Sequence, residues 1–445
     1  MAARAIRGTV ARFRGDPFGA AGREALVFEE DQLILIEDGI ITSIAPAEEA
    51  LGALPSGIPV DHYPRAILSP GFIDAHVHYP QMEMIGAGGE ELLEWLDRFT
   101  FPAESHFADP AHARDVAGRF LRELLRAGTT TAAVYCSVHA HSVEAFFAES
   151  ERFGTRMIAG KVLMDRNAPE ALTDTTESGI ADSAALIARW HGKGRQLYAI
   201  TPRFAPSCSE EQLEAAGRLW QQNPGTYVQT HLCENRAEIA WVAALFPERS
   251  SYLDVYDHAG LTGPRAIFGH AVYMTEDDFA CCHRTGSALA HCPTSNLFLG
   301  SGLFRLFEAK RADRPVHVAL GTDLGAGTSF SQLQTMGEAY KVAKLGGTTL
   351  SAAEALWLAT TGAAEALQLG GRIGAIEPGC EADIIVLDPE ATPLTAFRSA
   401  SCRDRAETLS VLMTLGDDRA IRATYVAGVP VYDRDRAGDP FLYPG

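Results

Sequence analysis

The sequence lacks an excess of basic residues. It contains 38 lysines and arginines against 57 aspartates and glutamates, which gives a formal net charge of −19 at pH 7. Nucleic acids and anionic membrane surfaces attract proteins mainly through basic faces. The charge balance therefore argues against a nucleic-acid partner and against binding to a membrane surface, although it identifies no other partner.

Long apolar runs and paired cysteines are also missing. No run of apolar residues reaches the ~18 residues that a membrane-spanning helix needs. The eight cysteines are scattered along the chain, and none stands in a Cys-x-x-Cys pair. In a chain of this size such cysteines are typical of reduced thiols rather than of a disulfide framework. We therefore expect a cytoplasmic protein without a membrane span.

The β patterns are concentrated at the two ends of the chain. The first 69 residues contain short apolar runs and a hairpin signal, Asp38-Gly39, between two of them. Apolar β runs return after residue 371. We predict that residues 1–69 and 371–445 pair into one small β-sandwich domain, beside a second domain formed by residues 70–370.

Eight short apolar runs in the middle of the chain alternate with helical patterns. This alternation is typical of a parallel sheet covered by helices. Eight such units predict a (β/α)8 barrel of the TIM type, in which functional groups gather at the carboxyl ends of the strands. The predicted strands are residues 67–78, 129–135, 156–163, 197–203, 227–231, 266–270, 287–291 and 316–323.

Histidines and an aspartate stand at the ends of five of these predicted strands, and His291, which ends the seventh, is expected behind the metal ligands. His76 and His78 end the first strand and face the same side, because side chains alternate along a strand. His231, His270 and Asp323 end the fifth, sixth and eighth strands. Neutral imidazoles with one carboxylate suit Zn²⁺ or Fe²⁺ and leave a coordination position for water. We predict metal ligation by His76, His78, His231 and Asp323, with His270 either as a further ligand or as a hydrogen-bond partner of the bound water.

Glu234 follows His231 by three residues, a spacing that brings it to the same mouth of the barrel. A bound metal ion lowers the pKa of its water to roughly 7 from 15.7. A nearby carboxylate can accept the released proton and deliver it to the substrate. We therefore predict a catalytic role for Glu234, against the alternative of a surface residue in the first turn of a helix, where a negative charge is favourable.

Three further residues are suited to a flat, aromatic ring. Arg203 and Phe204 follow the fourth predicted strand and offer a planar donor fork and a stacking face. Gln81 follows the first histidine pair and offers both a donor and an acceptor. The alternatives are a salt bridge between loops for Arg203, a packed core ring for Phe204 and a solvated amide for Gln81.

The motifs resemble a known family. Residues 70–78, Pro-Gly-Phe-Ile-Asp-Ala-His-Val-His, are similar to the opening metal motif of the amidohydrolase superfamily. Other stretches resemble the guanine deaminase family within that superfamily. They are Tyr-Pro-Gln at 79–81, Leu-Glu-Trp-Leu-Asp-Arg-Phe at 93–99, Pro-Arg-Phe at 202–204, Thr-His-Leu-Cys-Glu-Asn at 230–235 and Gly-Thr-Asp at 321–323.

The resemblance implies a barrel with one catalytic zinc ion per chain and a small β-sandwich. It implies hydrolysis of guanine to xanthine and ammonia, in purine catabolism, by an enzyme that forms homodimers. By the family motifs Gln81, Arg203 and Phe204 would contact the purine, and Glu234 would shuttle protons. His270 would stabilise developing charge, and Asp323 or Glu234 would protonate the leaving amine. The residues around the metal, His231, Glu234 and Asp323, would also border the substrate.

Three alternatives stay open at this point. The closest is a deaminase of a related aminated ring, such as 8-oxoguanine, a pterin or a triazine. Two-metal hydrolases of the superfamily use a modified lysine at the end of the fourth strand, but residues 197–206 contain no lysine, and Lys161 lies inside the third strand. A metal-free barrel kept as a scaffold is the non-enzymatic alternative, and it predicts loss of the ligands that are present here.

Overall fold

The computed structural model describes residues 3–89 and 91–442, so Glu90, inside the segment between the first and second predicted barrel strands, lies outside the described residues. Within the described residues the chain forms sixteen strands in two sheets. In chain order they are β1 (Arg4–Phe13), β2 (Leu26–Glu37), β3 (Ile40–Pro46), β4 (Val60–Pro70), β5 (Phe72–His78), β6 (Thr129–Tyr135), β7 (Arg156–Gly160), β8 (Val162–Leu163), β9 (Leu197–Pro202), β10 (Tyr227–Leu232), β11 (Ala266–His270), β12 (Ala288–His291), β13 (His317–Leu320), β14 (Ile384–Leu387), β15 (Ile421–Val426) and β16 (Val429–Asp433).

Helices connect most of the strands. Within the described residues they are α1 (Ala47–Ala50), α2 (Leu92–Trp95), α3 (Phe101–Ser105), α4 (Pro110–Arg126), α5 (Ala140–Phe153), α6 (Thr176–Trp190), α7 (Glu210–Gln222), α8 (Arg236–Leu245), α9 (Tyr252–His258), α10 (Glu276–Thr285), α11 (Pro293–Phe298), α12 (Leu306–Ala309), α13 (Gln332–Leu345), α14 (Ala352–Ala359), α15 (Thr361–Ala366), α16 (Pro393–Ser399) and α17 (Arg405–Leu415). In the described part of the chain, no helix has both the length and the apolar character that crossing a membrane requires.

The smaller sheet takes strands from both ends of the chain, in the order β16-β15-β14-β4-β1-β2-β3. The predicted hairpin joins β2 to β3, where Asp38 and Gly39 both have positive φ, as tight hairpin turns require. The strands come from residues 4–70 and 384–433. The division of the chain into domains at residues 69/70 and 370/371 stays a prediction.

The larger sheet is the predicted (β/α)8 barrel, and this fold class is confirmed. Its parallel strands follow the order β13-β12-β11-β10-β9-β7-β6-β5, and β8 pairs with β9. The first and last strands of this order, β13 and β5, meet beyond their carboxyl ends. There the Asp323 N–H donates to the His76 carbonyl at 2.8 Å, and the His78 N–H donates to the Leu324 carbonyl at 3.3 Å. The circle of strands therefore closes beside the residues predicted to bind metal.

The structure corrects several predicted bounds. The run 67–78 is two strands, β4 in the smaller sheet and β5 in the barrel, separated at Gly71. A Cβ atom on Gly71 would lie only 2.1 Å from Oγ1 of Thr130, so the chain crosses between the sheets where no side chain fits. The eighth strand ends at Leu320, three residues before Asp323.

Candidate active site

A β-bulge in β5 directs His76 and His78 toward the barrel centre. Ile73 and Ala75 pack with inward-facing residues from the other barrel strands, whereas Val77 packs in the outer cluster that contains the α4 side chains. The register between β5 and β6 shifts between Asp74 and Val77. A bulge reverses the alternation of side chains at the point of insertion, so both histidines follow Ala75 to the inner side.

Four predicted ligand atoms converge at the mouth of the barrel. Nε2 of His78 lies 3.3 Å from Nε2 of His76 and 3.1 Å from Nε2 of His231. Oδ1 of Asp323 lies 3.3 Å from Nε2 of both His76 and His78. Ligand atoms bonded at about 2.0–2.1 Å to a tetrahedral zinc ion are roughly 3.3–3.4 Å apart. The spacing and the donor types therefore fit one divalent metal ion.

The imidazoles are held in the form that binds metal. Burial lowers the pKa of His76, and it lowers the pKa of His78 and His231 well below the usual range for histidine. Nδ1 of His231 donates to the Arg203 carbonyl at 2.6 Å. This hydrogen bond fixes the tautomer that leaves the Nε2 lone pair free toward the ligand group.

Asp323 reaches the same point from a sharp turn after β13. Its φ of 49° lies in the left-handed region, as do those of Cys233 and His270, so the chain bends at three of the barrel strand ends that carry the site. Burial acts to raise the pKa of Asp323, but the hydrogen bond with His76 and the charge of His270 outweigh it and hold the pKa at about 2. The carboxylate is therefore ionised when the histidines are neutral.

Gly269 makes room for the His76 ring. A Cβ atom at this position would lie 2.5 Å from Cε1 of His76, inside van der Waals contact. A side chain at position 269 would therefore collide with His76, which reaches across the barrel from β5.

His270 stands between two carboxylates. Its Nε2 lies 3.4 Å from Oε2 of Glu234 and 3.7 Å from Oδ2 of Asp323, and its Nδ1 lies 2.9 Å from Oδ1 of Asn296. Although burial acts to lower the pKa of His270, the charges of Glu234 and Asp323 raise it. His270 also offers a ligand atom within 4.8 Å of those of His76, His231 and Asp323. Both roles predicted for His270, ligand and hydrogen-bond partner of water, stay open.

Glu234 is buried at the mouth and is not the surface residue of the alternative interpretation, since only 3% of it is exposed. Burial raises its pKa to about 7, against the opposing charge of His270. Its Oε1 accepts a hydrogen bond from Ser301 at 3.1 Å. Its backbone N–H donates to Glu238, a buried carboxylate that also accepts from Tyr252. The hydrogen bond to Glu238 therefore holds the turn that carries Glu234 in place.

Gln81 and Arg203 are joined by a residue to which the sequence analysis gave no role, Glu104. Nη1 of Arg203 donates to Oε2 of Glu104 at 2.6 Å, and Nε2 of Gln81 donates to Oε1 of the same carboxylate at 3.1 Å. All three side chains are buried. Arg203 thus makes the salt bridge of the alternative interpretation and still lines the pocket, and Gln81 is not a solvated loop amide.

The site opens into a pocket that both polar and apolar side chains line. Phe204 forms part of its apolar wall and packs edge-on against Trp241, with ring centroids 6.1 Å apart. Part of the wall comes from the segment between β5 and α4, which folds over the mouth of the barrel. The apolar residues lining the pocket are Leu92, Trp95, Leu96, Phe204, Leu299 and Ala326.

Two residues weighed in the sequence lie apart from the chemistry. His291 stacks on Phe304 with ring centroids 4.6 Å apart, whereas Asn296, five residues later, contacts His270. Lys161 is buried between β7 and β8 and pairs with Asp174. Neither His291 nor Lys161 lines the pocket that contains Glu234.

Comparison with known proteins identifies related sequences over nearly the whole chain. A model described as the amidohydrolase family matches residues 67–431. The chain is 51% identical over 411 residues to a guanine deaminase of Escherichia coli (strain K12), covering 92% of this chain and 93% of the relative. It is 41% identical over 436 residues to a probable guanine deaminase of Deinococcus radiodurans, covering 96% of this chain and 98% of the relative.

Solved structures agree with these relatives. The E. coli guanine deaminase has a TM-score of 0.95 and 49% identity, covering 97% of this chain and all of that chain. A guanine deaminase from C. acetobutylicum with guanine bound in its active site has a TM-score of 0.86 and 29% identity, covering 97% and 100%. An adenosine deaminase from Xanthomonas campestris with bound zinc has a TM-score of 0.85 and 25% identity, covering 98% and 94%.

Proposed function

The chain belongs to the amidohydrolase family, and we propose that it is an enzyme that hydrolyses guanine to xanthine and ammonia. The observation that carries this function is a single pocket in which Gln81 and Arg203, joined through Glu104, share the space with Glu234 and the converging ligand atoms. The guanine deaminase of E. coli, at 51% identity, supports the same reaction, and the guanine bound in the C. acetobutylicum structure supports the same substrate.

The metal ion is divalent, as in the family, and we propose that it is zinc, one ion per chain. His76, His78, His231 and Asp323 would hold it, with His270 beside them. The zinc in the related adenosine deaminase supports this choice, and Fe²⁺ suits the same donor atoms. When bound, the ion would lower the pKa of a water molecule and so supply the nucleophile near neutral pH.

Guanine is held by its polar edge and its flat face. Because Nε2 of Gln81 donates to Glu104, the amide oxygen of Gln81 is left to accept from a ring N–H or the amine of guanine. The Arg203 guanidinium has further donors beyond the one used by Glu104, and these suit the guanine carbonyl oxygen. The Phe204 ring supplies an apolar wall for the purine face, and His231, Glu234 and Asp323 border the reacting end.

Proton transfer falls to Glu234. A carboxyl group whose pKa lies near 7 both accepts and releases protons near neutral pH. Glu234 takes a proton from the attacking water and gives it to the ring nitrogen beside the carbon that carries the amine. His270 stabilises the negative charge that develops as the water oxygen bonds to that carbon. The hydroxyl group now bonded to that carbon gives its proton to Asp323 or Glu234, which passes it to the amine. The carbon–nitrogen bond then breaks, the carbonyl group of xanthine forms, and the amine leaves as ammonia.

The rival substrates are 8-oxoguanine, pterins and triazines. Structures of triazine hydrolases share the fold with this chain at about one fifth sequence identity, which bears on the fold alone. The metal-free scaffold is disfavoured because four donor atoms of the right chemistry converge within 3.1–3.3 Å contacts. Metal content after purification tests it directly, since a scaffold would retain none.

Ammonia release from a panel of rings tests the substrate. With guanine, 8-oxoguanine, isocytosine, pterin and adenine at matched concentrations, guanine is expected to give the highest kcat/KM, with xanthine as the product. A higher kcat/KM for any other ring would replace the proposed substrate. A homodimer and a cytoplasmic location stay predictions, and the mass of the protein in solution checks the first.

A further inference from the structure

A second group of metal-ligating side chains lies on the protein surface, outside the pocket. Glu83, His106 and His112 each offer one ligand atom, and these atoms lie within 4.8 Å of one another. Oε2 of Glu83 is 3.7 Å from Nδ1 of His106 and 3.6 Å from Nε2 of His112. We propose that these three residues, here called the outer triad, bind one divalent transition-metal ion of the zinc type.

The donor atoms of the outer triad decide which cation it suits. Two imidazoles and one carboxylate, with a fourth position for water, form a donor set that proteins use for zinc. Mg²⁺ and Ca²⁺ prefer oxygen ligands and are poorly served by two ring nitrogens. The Glu83 oxygen lies a few tenths of an ångström farther from each histidine nitrogen than a tetrahedral ion needs. Because 47% of the Glu83 side chain and 66% of the His106 side chain are exposed, both can rotate to close that difference.

His112 provides an independent indication of a ligand. Its Nε2 atom is buried and has no hydrogen-bond partner among the described residues. Its ring is fixed by an edge-on contact with Phe107, with centroids 4.9 Å apart, and by a similar contact with His106 at 5.7 Å. A buried ring nitrogen without a partner carries a free-energy cost. A metal ion between His112 and Glu83 would remove this cost.

The outer triad joins three segments, of which one carries the pocket residue Gln81 and another carries Glu104, the partner of Gln81. Glu83 lies in the 3-10 turn Tyr79–Met84, which also contains Gln81. His106 follows α3, two residues after Glu104, and His112 lies in the first turn of α4. A bound ion therefore ties the turn of Gln81 and the segment of Glu104 to α4, and restrains both from outside the pocket.

Zinc titration of the complete protein tests the outer triad without any substrate. The protein is first loaded with its pocket metal and freed of excess, and Zn²⁺ is then added in a calorimeter. We expect one further equivalent of zinc to bind with micromolar affinity, and the double variant His106→Ala/His112→Ala to bind it at least ~10-fold more weakly. A protein that takes up no further zinc below about 1 mM would overturn the proposal, as would a double variant with unchanged affinity.

The chain offers a matched control. Glu210, Glu214 and His258 form another exposed group of possible ligands, with a single imidazole. His258→Ala is expected to leave the second equivalent in place, and loss of that equivalent in this variant would place the zinc elsewhere and contradict the outer triad. Anomalous diffraction at the zinc absorption edge gives the position directly, with a peak expected between Glu83 and the two histidines.

Amide hydrogen exchange tests the restraint. Saturating zinc is expected to slow exchange over residues 79–112 in the wild type, compared with protein that holds only the pocket metal, and to leave the rate unchanged in the double variant. Equal exchange with and without the additional zinc in the wild type would refute the connection between the outer triad and the segments that carry Gln81 and Glu104.

Discussion

Arg203 donates a 2.6 Å hydrogen bond to Glu104, although 99 positions of the sequence separate the two residues and both side chains are buried. The guanidinium also lies over the Phe101 ring, 5.5 Å from its centroid. The other carboxylate oxygen of Glu104 accepts from Gln81. One buried carboxylate thus sets the direction of both polar side chains that we propose to bind the purine.

Substitution of Glu104 by Gln is expected to impair substrate binding rather than proton transfer. The variant keeps the shape of the side chain but leaves the Arg203 charge without its partner. A hydrogen bond to a charged group contributes about 1.5–3 kcal/mol, so kcat/KM for guanine should fall ~10-fold or more. We expect most of the change in KM, measured by steady-state ammonia release.

Glu94→Gln is the matched control, because Glu94 is an exposed carboxylate of the same segment. Its kinetics should equal those of the wild type. A double-mutant cycle of Glu104→Gln with Arg203→Lys should give non-additive losses, since the two side chains contact each other directly. Additive losses, or an unchanged KM in Glu104→Gln, would remove Glu104 from substrate positioning.

Substitution of Glu234 by Gln is expected to abolish turnover and retain the metal. The amide cannot take a proton from water, and general acid–base catalysis contributes about 10²–10⁴-fold to rates. Metal content by mass spectrometry and kcat by ammonia release are the two measurements. Glu238→Gln serves as the contrast, because Glu238 accepts a hydrogen bond from the backbone of the turn that carries Glu234. Its main effect should be a lower midpoint of thermal unfolding, with a smaller effect on kcat. Substantial residual turnover in Glu234→Gln would exclude the proton shuttle.

The predictable part of the site comes from residues whose chemistry is evident without the fold. His76, His78, His231 and Asp323 are unusual residue types at the ends of apolar runs, and the barrel rule alone places such ends at one mouth. Glu104 carries no such signal, since it lies in the short helix α3, away from any predicted strand end, and its partners become neighbours only after folding. The bulge in β5 was equally hidden, because the sequence of a bulge differs little from that of a regular strand.

Removal of the pocket metal is expected to abolish deamination reversibly. Without the ion, the three imidazoles and the Asp323 carboxylate, which face one another at 3.1–3.3 Å, should move apart and so open the mouth of the barrel. Dialysis against a chelator, followed by activity and thermal unfolding, should therefore give an inactive and less stable protein. Re-addition of Zn²⁺ or Fe²⁺ to separate samples then compares the two metals by kcat. Full activity in chelated protein that is shown to contain no metal would contradict metal dependence.

His291 should make the fold sensitive to acid. Burial lowers the pKa of His291 to about 3, and both ring nitrogens are buried without a hydrogen-bond partner among the described residues. In the unfolded chain a histidine takes up its proton below a pH of about 6.5. The unfolded state therefore binds more protons between pH 6.5 and 3, so the stability supplied by neutral His291 is complete above pH 6.5 and is lost as the pH falls. This linkage amounts to about 2 kcal/mol at pH 5.

The variant His291→Leu isolates this linkage, since leucine has no proton to bind and can still pack against Phe304. The free energy of unfolding, measured with denaturant at pH 7 and pH 5, should fall by about 2 kcal/mol less in the variant than in the wild type. His62→Leu, at an exposed imidazole, controls for the loss of a titratable ring in general. If the free energy of unfolding falls equally between pH 7 and pH 5 in the wild type and in His291→Leu, other groups cause the acid sensitivity. The comparison uses the difference between two pH values, so it holds even if the substitution itself lowers stability at both.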